Sequence, residues 1–495
     1  MSVRDEPTTD SSAQEPGPGT PTLPEPPPAL TAEARRVIVV VLLGAILTFL
    51  DATVVNVALH DLSADFDVSL GTVQWVVTGY LLALAAVIPM SAWLIRRFGA
   101  ARTYTIALAV FVFSSLLCGL AHNVGTLIAF RALQGIGGGL MMPVGQAILV
   151  AAAGPRGLAR AMSAIGIPMV LTPVLGPTIG GLLLAHAGWA WIFWINVPIG
   201  IIGIVLAVRV LPPDTPQAGG RLDLTGLLLL SGGATALTYG LAQASARGSA
   251  RLWHGVVPAA GGLALIAIFA AWALRARNPL LNLRLYRNGV FASASVAVFA
   301  MGAATFGGMI LMPLYYQVIR HDDAVTTGML LAPQGLGAAV AMFLSGRLFE
   351  KIGSVTAVVG GIICIAATIP FMTIGPESSY WLLSIALVVR GFGLGMAGMP
   401  AMTAALRAVG PDEVTDATPL LTMLQRVGGS VGTALFVVVL QQHLDNAGKD
   451  ASQQASAFGT AFIWVLAATV LATAPAVFMA RIEHRAAHNQ DASGL

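Results

Sequence analysis

Apolar runs long enough to cross a lipid bilayer recur fourteen times in this 495-residue chain, roughly at 37–59, 73–94, 103–121, 125–149, 161–185, 190–211, 224–243, 253–274, 290–316, 326–349, 355–374, 380–405, 418–441 and 457–480. A helix needs about 20 such residues to cross the hydrocarbon core. Inside that core the backbone has no water to bond, so lipid-exposed loops and open strand edges are excluded and each run is read as a helix. The expected fold is an all-α membrane protein with fourteen transmembrane helices, numbered here as spans 1 to 14. Composition agrees: 56% of residues are hydrophobic and 10% charged, where a soluble domain carries about 25% charged.

The flanks read differently. Residues 1–36 form a Pro-rich tail whose first 33 residues hold eight of the 28 prolines, six acids and one arginine. Such a segment buries too little apolar surface to fold. It also lacks the basic start and short apolar core of a signal peptide. Residues 481–495 form a second polar tail. Basic residues mark the cytoplasmic side of a membrane protein. With the N-terminus inside, that side collects 19 of the 26 basic residues, the outer side has only Arg247, Arg251, Arg320 and Lys449, and the spans hold Arg131, Arg390 and Arg426. Both termini are therefore expected in the cytoplasm. The net charge of +3 reflects topology and suggests no nucleic acid. Cys118 and Cys364 both lie in spans, with neither a disulfide framework nor metal-ligand spacing.

The chain repeats itself. RRFG at 96–99 follows span 2 and EKIG at 350–353 follows span 10, while QGIGGGLMMP at 134–143 in span 4 matches RGFGLGMAGMP at 390–400 in span 12. The offsets of 254 to 257 pair spans 1–6 with spans 9–14. The expected organisation is an N-terminal six-helix half (37–211), two inserted helices with their linkers (212–289) and a C-terminal six-helix half (290–480). Parallel halves of this kind are a transporter architecture, with the substrate at the midplane between them. Four GxxxG pairs fall in repeat-related spans: Gly135 and Gly139, Gly176 and Gly180, Gly391 and Gly395, and Gly428 and Gly432. Small residues at this spacing let helix backbones approach closely, either as fixed packing or as a moving contact. Span 5 also carries Pro168, Pro173 and Pro177, each of which removes a backbone donor and bends a helix.

Asp51 is the only acid inside any span. A charge at the bilayer centre costs about 3 kcal/mol on insertion scales, and intramembrane acids mark proton and ion pathways. Asp51 has no acidic counterpart, since the repeat offset leads to Thr305–Gly308. Arg390 aligns with Gln134, and neither Arg390 nor Arg426 has an acid in a neighbouring span. Such arginines bond backbone carbonyls, line an aqueous cavity or bind an anionic substrate group. An enzyme is disfavoured, because no P-loop, HExxH motif or His/Cys/acid cluster is present and no soluble stretch is long enough for a nucleotide domain. No cofactor or metal is implied.

At these residues the chain resembles the major facilitator superfamily, and more narrowly the fourteen-span drug:proton antiporters of the EmrB/QacA type, from about 37 to 480. LDATVVNVAL (50–59), SAWLIRRFGAAR (91–102), FRALQGIGGG (130–139), TPVLGPTIGG (172–181), WAWIFWINVPIG (189–200), RLDLTGLLLL (221–230) and LLTMLQRVGGSVGTALF (420–436) resemble its blocks in order. Three positions depart from the pattern. Arg96 stands where the wider superfamily has an Asp, Ala190 where an Arg is frequent, and His60 where a Pro is frequent. The Arg96 departure puts the superfamily's acid-based cytoplasmic lock in question.

The resemblance implies a major facilitator fold of two six-helix halves plus two inserted helices in the cytoplasmic membrane of a bacterium. It implies proton-driven efflux of amphiphilic drugs, with proton-coupled movement of a specific metabolite as the alternative. Spans 1 and 4 face the central cavity in this superfamily, and Asp51 and Arg131 lie about 12 Å and 9 Å from the outer ends of their helices at helical rise, so the two are expected to meet. Burial disfavours a charged carboxylate and a nearby guanidinium favours it, opposed influences that suit a group which takes up and releases a proton. Arg96, Arg97, Gly99 and Arg102 are implied as a cytoplasmic gate, and Pro173, Gly176, Pro177, Gly180 and Gly181 as the antiporter motif. An apolar cavity with a few polar groups suits amphiphiles; candidates for its lining are Asn56, Tyr80, Gln134, Met141, Tyr316, Gln317, Arg390 and Arg426. The expected partners are membrane lipid, a small amphiphilic substrate and the proton, with the chain acting as a monomer.

Overall fold

A computed structural model describes residues 31–213, 222–247, 252–277, 279–410, 413–448 and 450–493. Residues 1–30 of the expected N-terminal tail therefore lie outside the described residues, as do Arg251 and Lys449 of the outer basic set. The described chain is helical, with no strand among the described residues. Among the described residues, thirteen helices are long and apolar enough to cross a membrane. Span 1 is Ala32–Val57, starting a turn before the expected position because the Thr31 hydroxyl accepts the Ala34 N–H at 3.1 Å and caps the helix.

The difference from fourteen lies at span 5. Spans 4 and 5 run as one helical stretch, Val124–Ala187, broken at Gly154, where φ is +63°. That left-handed geometry costs a residue with a Cβ and suits glycine. Span 4 ends there, and span 5 is the second limb, of which Thr178–Ala187 is a short apolar helix. Gly99 makes another such turn, at φ +91°, between spans 2 and 3.

The repeat is visible as packing. In span 4, a Cβ on Gly139 would lie 2.7 Å from the Leu84 carbonyl of span 2; in span 12, a Cβ on Gly395 would lie 2.7 Å from the Ala338 carbonyl of span 10. Gly176 and Gly180 of span 5 sit against Thr53 and Val54 of span 1, while Gly428 and Gly432 of span 13 sit against Phe299 and Ala303 of span 9. Each GxxxG pair thus serves close backbone approach inside one half.

The two halves share one hydrophobic core only on the face carrying loops 96–102 and 350–354, where Val37, Met162, Met342, Phe349 and Leu406 belong to a single cluster. On the opposite face each half has its own cluster, around Val54, Val76 and Phe193 in one and Tyr315, Phe371 and Phe458 in the other. The halves are joined at the basic-rich face and separate toward the other. Of the inserted pair, span 7 packs on spans 2 and 13 and so covers one seam between the halves. Asp223 ties this pair together, accepting N–H bonds from Gly226 at 2.8 Å, Leu280 at 3.1 Å and the Trp272 ring at 3.2 Å.

Candidate functional site

Asp51 and Arg131 meet. The Arg131 Nη1 donates to Asp51 Oδ2 at 2.6 Å, and both side chains are sealed from solvent. The other carboxylate oxygen, Oδ1, accepts from Gln134 Nε2 at 3.0 Å and from Asn196 Nδ2 at 3.1 Å. Both amides also donate to Ser115 Oγ, each at 3.1 Å, and that hydroxyl donates to the Phe193 carbonyl at 2.8 Å. Arg131 has two further acceptors, the Val76 carbonyl at 3.1 Å and Gln134 Oε1 at 2.7 Å. Its guanidinium lies 4.3 Å from the centroid of the Tyr80 ring, a cation–π arrangement that helps hold a desolvated cation. Five helices contribute: span 1 (Asp51), span 2 (Val76, Tyr80), span 3 (Ser115), span 4 (Arg131, Gln134) and span 6 (Asn196). The network gives every carboxylate oxygen a donor, the condition for burying a charge.

The C-terminal half answers the same position with backbone. At the repeat counterpart of Asp51, span 9 forms a π-helical turn, Ala303–Gly307, a widened turn that frees a carbonyl. Arg390 Nη2 donates to the Ala304 carbonyl at 3.1 Å. A Cβ on Gly308 would run into that guanidinium. Arg390 is fully buried, and its Nε and Nη1 have no hydrogen-bond partner among the described residues.

The basic-rich face is held by cross-half pairs. Arg96, after span 2, pairs with Asp416 at the start of span 13. Arg160 of span 5 donates from Nε to both oxygens of Glu350, after span 10, at 2.8 and 3.0 Å. The Ser163 and Ser345 hydroxyls are 3.2 Å apart, and Thr422 donates to Gln146 Oε1 at 3.2 Å. Arg96 and Glu350 are repeat counterparts at an offset of 254, and Arg160 and Asp416 at 256. The two ion pairs are therefore one contact used twice, with both cations in the N-terminal half and both acids in the C-terminal half.

The remaining expected site residues scatter. Gln134 belongs to the Asp51 network and not to a cavity wall. Tyr80, Met141 and Tyr316 are buried, Met141 against the Thr48 hydroxyl at 3.8 Å and Tyr316 stacked on Tyr380. Asn56 and Gln317 are exposed, and Arg426 is half-buried. Arg97 and Arg102 are exposed, beyond the ion pair that Arg96 makes. Gly181 has open space around it, unlike Gly176 and Gly180, and the side chains of Pro173 and Pro177 lie outside the described residues. Ser115, Asn196, Arg160, Glu350 and Asp416 were not singled out from the sequence. A polar Asn within span 6 and the opposite charges of RRFG and EKIG were the available signals.

A family model described as the Major Facilitator Superfamily matches residues 41–433. The chain belongs to this superfamily. Membership makes it a secondary transporter and not an enzyme. It is 40% identical over 418 residues to a protein of Mycobacterium tuberculosis named multidrug resistance protein B homolog, covering 84% of this chain and 77% of that one. It is 34% identical over 411 residues to the methylenomycin A resistance protein of Bacillus subtilis, covering 82% and 87%. Among solved structures, the human organic anion transporter MFSD10 aligns with a TM-score of 0.61 at 16% identity, covering 89% of this chain and 100% of that one. The proton:xylose symporter XylE aligns with a TM-score of 0.60 at 12% identity, covering 88% and 95%. These likenesses show the major facilitator fold.

Proposed function

We propose that this chain exports amphiphilic drugs or antibiotics across the bacterial cytoplasmic membrane in exchange for protons, as a single copy whose two six-helix halves rock against each other. The observation that carries the reading is Asp51, the one acid within the spans, sealed against Arg131 in a network of five helices. The names of the relatives, multidrug resistance protein B homolog and methylenomycin A resistance protein, support drug export.

The network suits proton exchange because Arg131 has neutral acceptors besides Asp51. When Asp51 is protonated, Arg131 keeps the Val76 carbonyl and Gln134 Oε1. Neutralisation therefore loosens the tie between spans 1 and 4 and leaves the Arg131 guanidinium hydrogen-bonded but without its counter-ion, a cost of several kcal/mol that favours renewed ionisation of Asp51. With the basic-rich face as the cytoplasmic one and both termini on it, the closed lock makes this an outward-facing state. A proton then enters from outside, the halves re-orient, and release of the proton inside resets Asp51 for the next cycle.

The test uses membrane vesicles with an imposed pH gradient. Addition of a transported compound should collapse the gradient with the unmodified chain, and Asp51→Asn should abolish that response. Full proton-coupled efflux by Asp51→Asn overturns the assignment. Cells that accumulate more compound when the chain is expressed would favour uptake instead.

A further inference from the structure

Arg426 is a cation at membrane depth with no acid paired to it among the described residues. It lies twelve residues into the helix Val414–Ala447, about 18 Å from its cytoplasmic end at helical rise and so near the bilayer midplane. Its guanidinium makes no hydrogen bond or ion pair among the described residues; only its backbone carbonyl is bonded, by Ser430. A charge held at that depth at a cost of about 3 kcal/mol marks a functional position by default.

Its surroundings say what it faces. Thr422, one helical turn toward the cytoplasm on the same face, bonds Gln146 of the other half. Residues four apart share a helix face, so Arg426 stands one turn above a cross-half contact, where the two cores begin to separate. It is half-buried there and within electrostatic reach of Tyr80 across the seam. The Tyr80 hydroxyl is itself buried with no hydrogen-bond partner. A guanidinium and a phenol O–H are both donors. Neither donor has an acceptor among the described residues, and beside an unpaired cation the fitting acceptor is an anion.

We propose that Arg426, with the Tyr80 hydroxyl, recognises an acidic group on the substrate, so that the transported class is amphiphiles bearing a carboxylate or another monoanionic group. Within the spans three arginines, at 131, 390 and 426, stand against the single acid Asp51, and that excess disfavours cationic compounds at the same place. The assignment deepens the export reading and rests on it. It also separates recognition from proton exchange. Asp51 is boxed inside its half and out of the cleft, so proton and substrate communicate through the rocking of the halves and through Tyr80, whose ring covers Arg131.

The experiment uses the purified full chain in lipid nanodiscs and a matched probe pair, dansyl-undecanoic acid and its primary amide, at a pH where the acid is ionised. The unmodified chain should bind the acid about tenfold or more tightly than the amide, as expected for a charge-assisted contact. Arg426→Gln should bring the two to parity, and Arg426→Lys should retain a preference for the acid. Equal binding of acid and amide by the unmodified chain, or an undiminished preference in Arg426→Gln, overturns the proposal. The same probes in vesicles with a pH gradient separate the two readings. Gradient-driven efflux of acid and amide alike keeps antiport and sinks the anion site. An Arg426-dependent preference without any gradient-driven movement keeps the site and sinks antiport.

Discussion

If the two cross-half ion pairs of the basic-rich face form a cytoplasmic lock, as the proposed function has it, neutralising their two acids should shift the resting equilibrium toward the inward-open state by an amount the structure lets one work out. Arg96 and Asp416 are 30% and 19% exposed, and Arg160 and Glu350 are 22% and 7% exposed. Both pairs are only partly screened, which places each near the upper end of the surface range, about 1 kcal/mol. Asp416→Asn and Glu350→Gln keep the shape of the side chains and remove only charge. Either change alone should raise the open:closed ratio about 5-fold, and both together, about 2 kcal/mol, should raise it about 30-fold. The reporter is Ser345→Cys, because Ser345 is fully buried against Ser163 across the seam. Cys118 and Cys364 are replaced by Ala beforehand to leave a single thiol. If opening is fast, the maleimide reaction rate follows the open population and should rise by the same factors. A rate within twofold of the unmodified lock after both neutralisations would refute the assignment.

Three further outcomes follow from the packing. Gly428→Val should lower the folded-state stability by about 3 kcal/mol or more, because a Cβ there collides with the backbone at Phe299; Gly181→Ala, with open space around it, should stay within about 0.5 kcal/mol, both read from thermal unfolding. Arg390→Met should stabilise the chain by about 1–3 kcal/mol, since it removes a buried cation with two unbonded nitrogens; a fall in melting temperature would mean that the guanidinium has a partner. Asn196→Leu leaves Asp51 Oδ1 with Gln134 alone and should slow gradient-driven transport while the cytoplasmic lock, read by the Ser345→Cys rate, is unchanged.

Much of the architecture was legible because hydropathy reports length and depth directly. Spans and the repeat follow from counting residues along helices, and counting puts Asp51 and Arg131 at similar depths; that the two meet is implied by the resemblance, in which spans 1 and 4 face the central cavity. What hydropathy does not report is azimuth, the direction in which a side chain leaves its helix. Gln134 is polar and at cavity depth, yet it lies three residues from Arg131 and points with it toward Asp51, so it joins the Asp51 network. Tyr316 is at the right depth as well but turns onto Tyr380. Counting along the sequence puts span 5 at 161–185, whereas in the structure it follows span 4 in one stretch that breaks only at the non-helical Gly154. The partners of Arg96 and Arg160 were hidden for another reason: they lie 320 and 190 residues away along the chain, and only the folding of one half onto the other brings them near.

The lock also explains why a basic residue can stand at position 96. A pseudo-twofold contact brings position 96 onto the counterpart of 160, and position 160 onto the counterpart of 96, as in any two-fold interface. Had both halves kept arginine at both positions, the contact would set Arg against Arg twice. The chain instead places both cations in one half and both acids in the other, so each crossing is an attraction. The same arrangement makes two N-terminal halves, or two C-terminal halves, repel at this face. It follows that the sign of the charges is free provided it is opposite between halves. Exchanging all four, with Arg96→Asp, Arg160→Glu, Glu350→Arg and Asp416→Arg, should restore the slow reaction of the Ser345→Cys thiol. Exchanging only Arg96 and Arg160 should open the lock more than neutralisation does. A four-fold exchange that reacts as fast as the two-fold one would show that position 96 acts through something other than its charge.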